Sequence, residues 1–123
     1  MRHSQQRDTI LKIVERSCDH PTADTIYNRV REEIPNISLG TVYRNLNRLC
    51  ELGLADTLET LDKSIHYDGN TNPHCHFICK NCSAIIDLEV MPCVPKAVGD
   101  MGLTVDSQKT IYYGICPACR NKN

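Results

Sequence analysis

Two pairs of cysteines in the second half of the chain have the spacing of a metal site. They are Cys79-x-x-Cys82 and Cys116-x-x-Cys119, with 33 residues between the pairs. Four thiolates in two such pairs match the ligands of a closed, tetrahedral zinc site. The alternative is two separate redox pairs, but that chemistry is typical of a thioredoxin-like βαβ setting, which this sequence does not indicate. The spacing therefore predicts a four-cysteine zinc site.

A second set of possible ligands lies just before the first cysteine pair. In the run His74-Cys75-His76 the two histidines share one face if the segment is an extended strand. By itself such a pair is more often a surface feature than a metal site. Carboxylates at Asp68 and Asp87 flank it in sequence, however, and a set of nitrogen and oxygen ligands suits iron, manganese or zinc. We therefore expect a second metal site that differs in chemistry from the first.

The other cysteines are not expected to bind metal. Cys18 and Cys50 lie on or near predicted helices, where core or surface thiols are the ordinary case, and Cys93 follows a Met-Pro turn. Cys75 differs, because a thiol beside an iron site could be oxidised or could bind zinc in another arrangement. The simpler expectation is that Cys75 does neither.

Composition limits the setting of these sites. The chain has 123 residues and 41% hydrophobic content, with one Phe and no Trp. Either half can therefore build only a thin core, and we expect a cross-link or a bound metal to stabilise it. No apolar run approaches the roughly 18 residues of a membrane helix, which predicts a soluble, cytoplasmic protein. In a reducing cytosol paired cysteines hold metal more often than disulfides. The net charge of −1 does not by itself indicate a polyanion partner.

Three amphipathic helices are predicted in the first half of the chain. Their apolar residues recur every three or four positions, and each helix follows a residue that can cap its N-terminus. The predicted caps are Ser4, Thr22 and Ser38, and the predicted ends are near Arg16, before Pro35 and before Gly53. Only a short turn at Asn36 and Ile37 separates the second helix from the third, which is typical of a helix-turn-helix.

The third helix carries residue types that read DNA. Its expected buried stripe is Leu39, Val42, Leu46 and Leu49, which leaves Gly40, Thr41, Arg44, Asn47 and Arg48 on the outer face, with Tyr43 on its flank. Arginine can hold guanine or phosphate, asparagine can address base edges, and glycine permits close approach to the backbone. A plain solvated face is the alternative. A predicted hairpin of residues 54–60 and 64–68, which could lie along phosphates, favours DNA.

The composition changes after the turn-rich segment Gly69-Asn70-Thr71-Asn72-Pro73. Beyond it we predict strands over 85–90 and 103–115, with a short helix over 96–101 between them. The predicted fold is α+β: an N-terminal winged helix-turn-helix domain over 1–69, followed by a small α/β domain over 70–123 that contains the four-cysteine site.

Several motifs together resemble the ferric uptake regulator (Fur) family over nearly the whole chain. They are His20-Pro-Thr-Ala-Asp24 with Ile26-Tyr27, Thr41-Val-Tyr-Arg-Asn-Leu46, Tyr67-Asp68, His74-x-His76-x-x-Cys79-x-x-Cys82 and Cys116-x-x-Cys119. The resemblance implies a DNA-reading domain, a dimerisation domain with structural Zn²⁺, and a regulatory Fe²⁺ or Mn²⁺ at the hinge. By motif, the regulatory ligands are His20, Asp68, His74, His76 and Asp87. It also implies a homodimer that binds double-stranded operator DNA, with no membrane partner.

Asp87 narrows the resemblance to one branch of the family. The iron-uptake branch tends to carry Glu at this position, whereas the peroxide-sensing PerR branch carries Asp. The resemblance therefore implies a repressor that releases DNA after iron-catalysed oxidation of a ligand histidine, with His20 and His74 as the expected targets. Because Gln108 lies where some relatives carry another histidine, we expect two metal sites per chain and no third.

Other functions remain open from the sequence alone. The same scaffold can serve an iron- or zinc-uptake regulator that senses metal concentration. A zinc-ribbon adaptor that binds proteins would show no salt-dependent DNA binding, and an oxidoreductase would turn over disulfides with its cysteine pairs. We find neither a nucleophile with its base nor a phosphate loop in the sequence, so we do not expect an enzyme.

Overall fold

The structure is a computed structural model that describes residues 3–72, 74–89 and 93–121. The chain divides into two compact units, Met1–Thr71 and Asn72–Asn123. The first contains α1 (His3–Arg16), α2 (Ala23–Val30), α3 (Leu39–Glu51), β1 (Asp56–Glu59) and β2 (Ile65–Asp68). The second contains β3 (Cys75–Cys79), β4 (Ile85–Leu88), α4 (Lys96–Asp100), β5 (Ile111–Gly114) and α5 (Pro117–Arg120). Within the described ranges no helix has the length and apolar character needed to cross a bilayer.

Two of the three predicted helix caps are confirmed. The side chain of Thr22 accepts a hydrogen bond from the backbone N–H of Thr25, and that of Ser38 accepts one from Thr41 at 3.1 Å. Such caps satisfy a backbone donor that has no partner within the helix. The prediction of Ser4 as a cap is wrong, because α1 begins at His3 and Ser4 lies within its first turn.

The ends of the second and third helices have different causes. Helix α2 ends at Val30, before Pro35 is reached, so the prediction that the proline stops it is wrong. The chain tightens into turns instead, with the N–H groups of Glu33 and Ile34 both bonded to the carbonyl of Val30. Helix α3 ends as predicted before Gly53, which has a φ of 74° that favours glycine.

The core of the first unit is a single cluster of apolar side chains from all three helices. It contains Ile10, Ile13, Val14, Ala23, Ile26, Val30, Ile34, Ile37, Val42, Leu46, Leu49, Ala55 and Tyr67. Leu39 does not belong to it: the side chain, at the start of α3, is 37% exposed, so the predicted stripe is wrong at that position. The cluster fixes which face of α3 points outwards.

An antiparallel hairpin completes the first unit. Strands β1 and β2 pair from Asp56 with Asp68 to Glu59 with Ile65, which confirms the predicted hairpin with shorter strands. The turn is closed by the N–H of Thr60 on the carbonyl of Ser64, at 3.0 Å. Lys63 takes a φ of 72° at the tip, in the left-handed region.

The second unit is built on a three-stranded sheet in the order β4-β3-β5, with β4 antiparallel and β5 parallel to β3. The predicted strand over 103–115 is wrong except for Ile111–Gly114. Leu103 and Val105 are 56% and 45% exposed, so their apolar character does not reflect burial in this unit. Helix α4 confirms the predicted short helix, and β4 confirms the strand predicted over 85–90 as far as Leu88. Val90, predicted to continue that strand, and Pro73 of the predicted linker lie outside the described residues.

The interior of the second unit consists largely of cysteine. Its buried cluster is Cys79, Cys116 and Cys119, with Phe77 and Ala84 packed against it. Ile78 and Cys75 are also buried, at 0% and 2% exposure. So small an apolar interior is typical of a domain that needs a cross-link or a metal.

Candidate metal centres

The second unit brings the four predicted cysteine sulfurs together. Cys79 ends β3, Cys82 lies in the turn that follows, Cys116 lies just after β5, and Cys119 is carried by α5. The parallel register of β3 and β5, in which Cys79 faces Gly114, brings the two cysteine pairs side by side. All four Sγ atoms lie within 4.8 Å of one another. This is the arrangement expected of ligands around one tetrahedral ion.

Electrostatics at this cluster favours a thiolate at Cys79. Its Sγ accepts hydrogen bonds from the backbone N–H groups of Asn81 and Cys116, both at 3.4 Å. Backbone N–H donors, first that of Cys82 and then that of Cys116, lower the pKa of the Cys79 thiol to about 6. A thiolate at neutral pH is the form that binds metal.

The neighbouring thiol behaves in the opposite way. The backbone N–H of Ala84 lowers the pKa of Cys82, but interactions with the Cys119 and Cys79 sulfurs outweigh it and raise that pKa to about 11. Several thiols so close together cannot all ionise by themselves, because each added negative charge opposes the next. A divalent cation at the centre removes that opposition, so this donor set fits Zn²⁺.

Three nitrogen and oxygen donors of the second unit also converge. The Nε2 atoms of His74 and His76 are 2.9 Å apart, and Asp87 Oδ1 lies 3.2 Å from His76 Nε2 and 3.7 Å from His74 Nε2. Direct pairing of His76 on β3 with Asp87 on β4 places these two side chains together. The two imidazoles therefore share one side of the strand, as the alternation of side chains predicts.

The neighbours of His74 indicate which of its two ring nitrogens donates a proton. Its Nδ1 lies 2.6 Å from the carbonyl oxygen of Asn72, which can only accept, so Nδ1 donates a proton there and Nε2 is the atom that faces His76 and Asp87. Both histidine side chains are about nine-tenths buried, whereas that of Asp87 is 40% exposed. Two imidazole nitrogens this close need a shared proton or a cation between them, and the set fits Fe²⁺, Mn²⁺ or Zn²⁺.

The first unit contributes a separate pair of donors. His20 Nε2 lies 3.6 Å from Asp68 Oδ2, and both side chains are more than 90% buried. His20 precedes α2 and Asp68 ends β2. They are brought together because the segment between His20 and α2 pairs with β2, through the N–H of Tyr67 on the carbonyl of Pro21 at 2.9 Å and a bridge between Thr22 and His66.

His20 adopts a backbone conformation that requires support. Its φ of 50° lies in the left-handed region, which costs a residue other than glycine about 1–2 kcal/mol. The ring of His66 provides a partner, because its Nδ1 lies 2.7 Å from the His20 carbonyl oxygen and must donate to it. Sequence reasoning missed His66. The available signal was its position two residues before Asp68, on the same face of a predicted strand.

Gly69 is the other residue of this region that the sequence did not identify. A Cβ at this position would lie 2.7 Å from the Cα and 2.9 Å from the N of Glu15, so the backbone after Asp68 approaches helix α1 more closely than any side chain permits. Asp68 is further fixed by the N–H of Asn70, which donates to Oδ1 at 2.8 Å. This close packing fixes the end of β2 against α1.

Five of the six predicted DNA-reading residues lie on the outside of α3. The exposed ones are Gly40, Tyr43, Arg44, Asn47 and Arg48. Thr41 is half-buried, and its Oγ1 accepts a hydrogen bond from Arg44 at 3.0 Å. Arg48 forms a surface ion pair with Glu51 at 3.2 Å. The two guanidinium groups are thus held by weak exposed contacts that a stronger anion can replace.

The remaining cysteines lie outside the four-cysteine cluster, in different settings. Cys18 and Cys93 are exposed, Cys50 is half-buried and Cys75 is buried. Burial of Cys75 on the opposite side of β3 from the two histidines favours the simpler expectation for it, because an inaccessible thiol is a poor target for oxidants.

Comparisons with known proteins place this arrangement in context. The model of the ferric uptake regulator family matches residues 1–96. The peroxide-responsive repressor PerR of Staphylococcus saprophyticus is 35% identical over 127 residues, which cover 99% of this chain and 84% of that relative. The similarity therefore extends through both units.

Solved structures of related regulators are also similar to this chain. The peroxide stress regulator of Campylobacter jejuni matches with a TM-score of 0.81 and 32% identity, over 95% of this chain and 90% of that one. The ferric uptake regulator of Helicobacter pylori, described as having three functional metal-binding sites, matches with a TM-score of 0.77 and 25% identity, over 98% and 83% of the two chains. The mixed helix and strand fold is therefore shared with these regulators.

Proposed function

Since this chain belongs to the ferric uptake regulator family, we propose that it is a metal-dependent transcriptional repressor that binds operator DNA and releases it in response to peroxide. The observation that carries the proposal is the presence of donors of two chemistries: four sulfur atoms in the second unit, and imidazole nitrogen beside carboxylate oxygen in each unit. A set of four thiolates suits a structural ion, whereas the nitrogen and oxygen set suits an ion that can bind reversibly and react. The cytoplasm, where operator DNA lies, is the setting that this function requires.

The sulfur set has a structural role in this proposal. Zn²⁺ held by Cys79, Cys82, Cys116 and Cys119 links β3, β5 and α5, in a unit with little apolar interior of its own. Zinc has no redox chemistry, so it keeps four thiolates bound and protected while peroxide reacts elsewhere.

The nitrogen and oxygen set has the regulatory role. We assign His20 and Asp68 of the first unit, and His74, His76 and Asp87 of the second, to one Fe²⁺ or Mn²⁺ ion. The support is that each unit presents buried imidazole nitrogen beside a carboxylate. An ion shared by the two units restricts the angle between the DNA-reading domains of a dimer, and so matches them to a two-fold operator. Metal can shift this equilibrium only by its preference for one conformation.

The sensing step depends on which metal is bound. Fe²⁺ held there would supply the redox chemistry that splits the O–O bond of peroxide; one oxygen atom would leave as water and the other would be added to a ligand imidazole, with His20 and His74 as the expected targets. The support is that His20 Nε2 lies 3.6 Å from Asp68 Oδ2 and that Nδ1 of His74 donates to the Asn72 carbonyl, so an oxidation that removes the Nε2 lone pair of either ring would remove a ligand. Asp87 in place of a glutamate favours this function over an uptake regulator. A sensor of iron or zinc concentration is the second candidate on the same scaffold.

DNA reading is assigned to the first unit as a winged helix-turn-helix. Helices α2 and α3 with their turn form the reader, and the hairpin β1-β2 is the wing. The support is the outward face of α3, with Arg44, Asn47 and Arg48 exposed beside Tyr43 and Gly40, and with Thr41 at its edge. In this proposal residues 1–69 form the DNA-binding domain.

Dimerisation is assigned to residues 70–123. The support is the large share of exposed apolar side chains in the second unit: Ile86, Val94, Met101, Leu103, Val105, Tyr112, Tyr113 and Ile115. So many exposed apolar groups on a small domain are typical of a surface that is covered by a partner. A second copy is the partner that a two-fold operator requires.

Metal-dependent DNA binding is the experiment for this proposal. Zinc-loaded protein is titrated with operator-type DNA, with and without Mn²⁺, at several salt concentrations. We expect tight binding only with Mn²⁺, a loss of that dependence in His76→Ala, and about tenfold or greater weakening in Arg44→Ala. Lys96→Ala, which removes an exposed cation from α4, is the matched control and should bind as the unchanged protein does. Binding that ignores both Mn²⁺ and Arg44 contradicts the proposal.

A further inference from the structure

We propose that His66 is a positioning residue of the regulatory metal site, which holds the backbone of His20 and connects that ligand to the tip of the β1-β2 hairpin. The inference rests on the proposed function, because it takes His20 and Asp68 as metal ligands. It adds a residue that touches neither the metal nor the DNA.

The first observation is the contact between His66 and the metal ligand. The Nδ1 atom of His66 lies 2.7 Å from the carbonyl oxygen of His20, and a carbonyl can only accept, so the ring donates. That carbonyl belongs to the residue with a φ of 50° whose Nε2 lies 3.6 Å from Asp68 Oδ2. Strand β2 therefore supplies Asp68 directly and, two residues earlier, the donor that holds the other ligand in place.

The second observation is what lies on the other side of the ring. The Nε2 atom of His66 lies 3.4 Å from Oγ1 of Thr60, a residue that is only 2% exposed. The Thr60 hydroxyl donates to Asp62, whose Oδ1 also accepts the N–H of Ser64 at 3.1 Å. A continuous path of polar contacts thus runs from the His20 carbonyl, through one imidazole, to the residues on either side of Lys63.

These contacts mean that His66 affects both the His20 ligand and the hairpin tip. Without the donor, the left-handed conformation of His20 loses one of its supports, and the imidazole is held less firmly with its Nε2 towards Asp68. Groups that orient a metal ligand typically change metal affinity by about 10–100-fold when they are removed. Because the same ring contacts Thr60, an ion that fixes His20 also steadies the hairpin tip, and by linkage DNA bound at the tip strengthens metal binding.

Two substitutions separate the roles of the two ring nitrogens. In His66→Asn the amide nitrogen takes the place of Nδ1 and can still donate to the His20 carbonyl. In His66→Gln the amide nitrogen takes the place of Nε2 and reaches towards Thr60 instead. Both variants keep a polar, hydrogen-bonding side chain on β2. A third variant, Thr60→Val, removes the far end of the path and leaves His66 in place.

The test is the affinity of the zinc-loaded protein for Mn²⁺, measured by the paramagnetic resonance signal of free Mn²⁺ during a titration. We expect about tenfold weaker binding in His66→Gln, near-normal binding in His66→Asn, and a smaller loss in Thr60→Val. Thermal unfolding of each variant without Mn²⁺ reports whether the hairpin itself is damaged. If His66 is a positioning residue, the His66→Asn and His66→Gln variants differ in their affinity for Mn²⁺ although they unfold at similar temperatures.

Two results overturn the inference while the proposed function stands. One is an affinity for Mn²⁺ in His66→Gln equal to that of the unchanged protein. The other is an equal loss in the Asn and Gln variants that follows their unfolding temperatures, since that is the behaviour of a merely structural residue. If the unchanged protein binds Mn²⁺ no better than His76→Ala does, the proposed function fails as well, and with it this inference.

Discussion

The two units of this protein are stabilised in opposite ways. The first buries a cluster of apolar side chains drawn from three helices, whereas the buried cluster of the second is three cysteines with Phe77 and Ala84 against them. The second unit also carries most of the exposed large apolar side chains among the described residues, although it is the shorter. A domain with a full core can hold a DNA-reading surface without metal. We expect one with a cysteine interior to depend on a bound ion for its folding.

The largest expected effect of this contrast comes from the sulfur set. Cys119→Ser, or removal of zinc with a chelator, should abolish the cooperative unfolding of the second unit and leave the first unit folded. Structural zinc in small domains contributes about 10–16 kcal/mol of folding free energy, far more than a thin core supplies. The measurement is an NMR spectrum of backbone amides before and after the change. Cys93→Ser, at an exposed thiol outside the cluster, is the control and should change nothing.

A core substitution should produce the reverse pattern. Leu46 is fully buried in the cluster of the first unit, so Leu46→Ala should lower the unfolding free energy of that unit by about 2–5 kcal/mol. Urea unfolding followed at residues of each unit measures this, with the zinc content determined alongside. Leu52→Ala, at a side chain that is 45% exposed, is the matched control. Loss of zinc in Leu46→Ala would mean that the units do not fold independently.

A pair of glycine substitutions tests how closely the first unit is packed around Asp68. Gly69→Ala should destabilise this unit by about 1–3 kcal/mol, because the added methyl group meets the Glu15 backbone rather than a movable side chain. Gly99→Ala on α4 meets nothing within 4 Å and should leave stability unchanged or slightly raised. Thermal unfolding compares the two. Equal unfolding temperatures in both variants would show that α1 moves away freely from the end of β2.

The smallest expected effect lies at the surface of the first unit. A bidentate hydrogen bond from Arg29, whose nitrogens lie 2.7 and 3.1 Å from the carboxylate, lowers the pKa of Asp19 below its usual 3.8. A lowered pKa stabilises the fold above pH 3.8, and this contribution is lost as the pH falls through the pKa of the folded state. The side chains are 38% and 60% exposed, so solvent screening limits the effect in Asp19→Asn to about 0.2–1 kcal/mol near neutral pH.

The measurement is the difference in unfolding free energy between Asp19→Asn and the unchanged protein as the pH is lowered. It should shrink as the pH falls from 3.8 through the lower pKa of the folded state, below which the carboxyl group carries a proton in both folded and unfolded chains. A difference that grows in acid would contradict the sign of the pKa change.

Local chemistry made much of this fold predictable. Caps at Thr22 and Ser38 and the glycine at Gly53 are decided by bonds within a few residues, so the sequence alone predicts them. The prediction of a strand over 103–115 is wrong because strand pairing is not decided by local bonds. Leu103 and Val105 are exposed in this unit, so their apolar pattern does not correspond to strand pairing within one chain.

In the candidate site, too, some contacts could be predicted from the sequence and others could not. Pattern alone predicts the convergence of the four cysteines and of His74 with His76, because their spacing within a motif nearly determines it. The alternation of side chains could have drawn attention to His66, but its contact with His20 and the close approach at Gly69 could not be predicted, since they depend on a left-handed turn at His20 and on the position of α1. These contacts join residues that are distant in sequence, and only the folded backbone brings them together.

The central claim is that this protein reports peroxide through a ligand histidine, and one experiment tests it most directly. Zinc-loaded protein is bound to operator-type DNA with Fe²⁺ or with Mn²⁺, exposed briefly to peroxide, and then analysed by mass spectrometry of its histidine peptides. The account predicts that the Fe²⁺ form releases DNA and gains one oxygen atom at His20 or His74, while the Mn²⁺ form keeps its DNA and its mass. Release without histidine oxidation, or no release from either form, would contradict it.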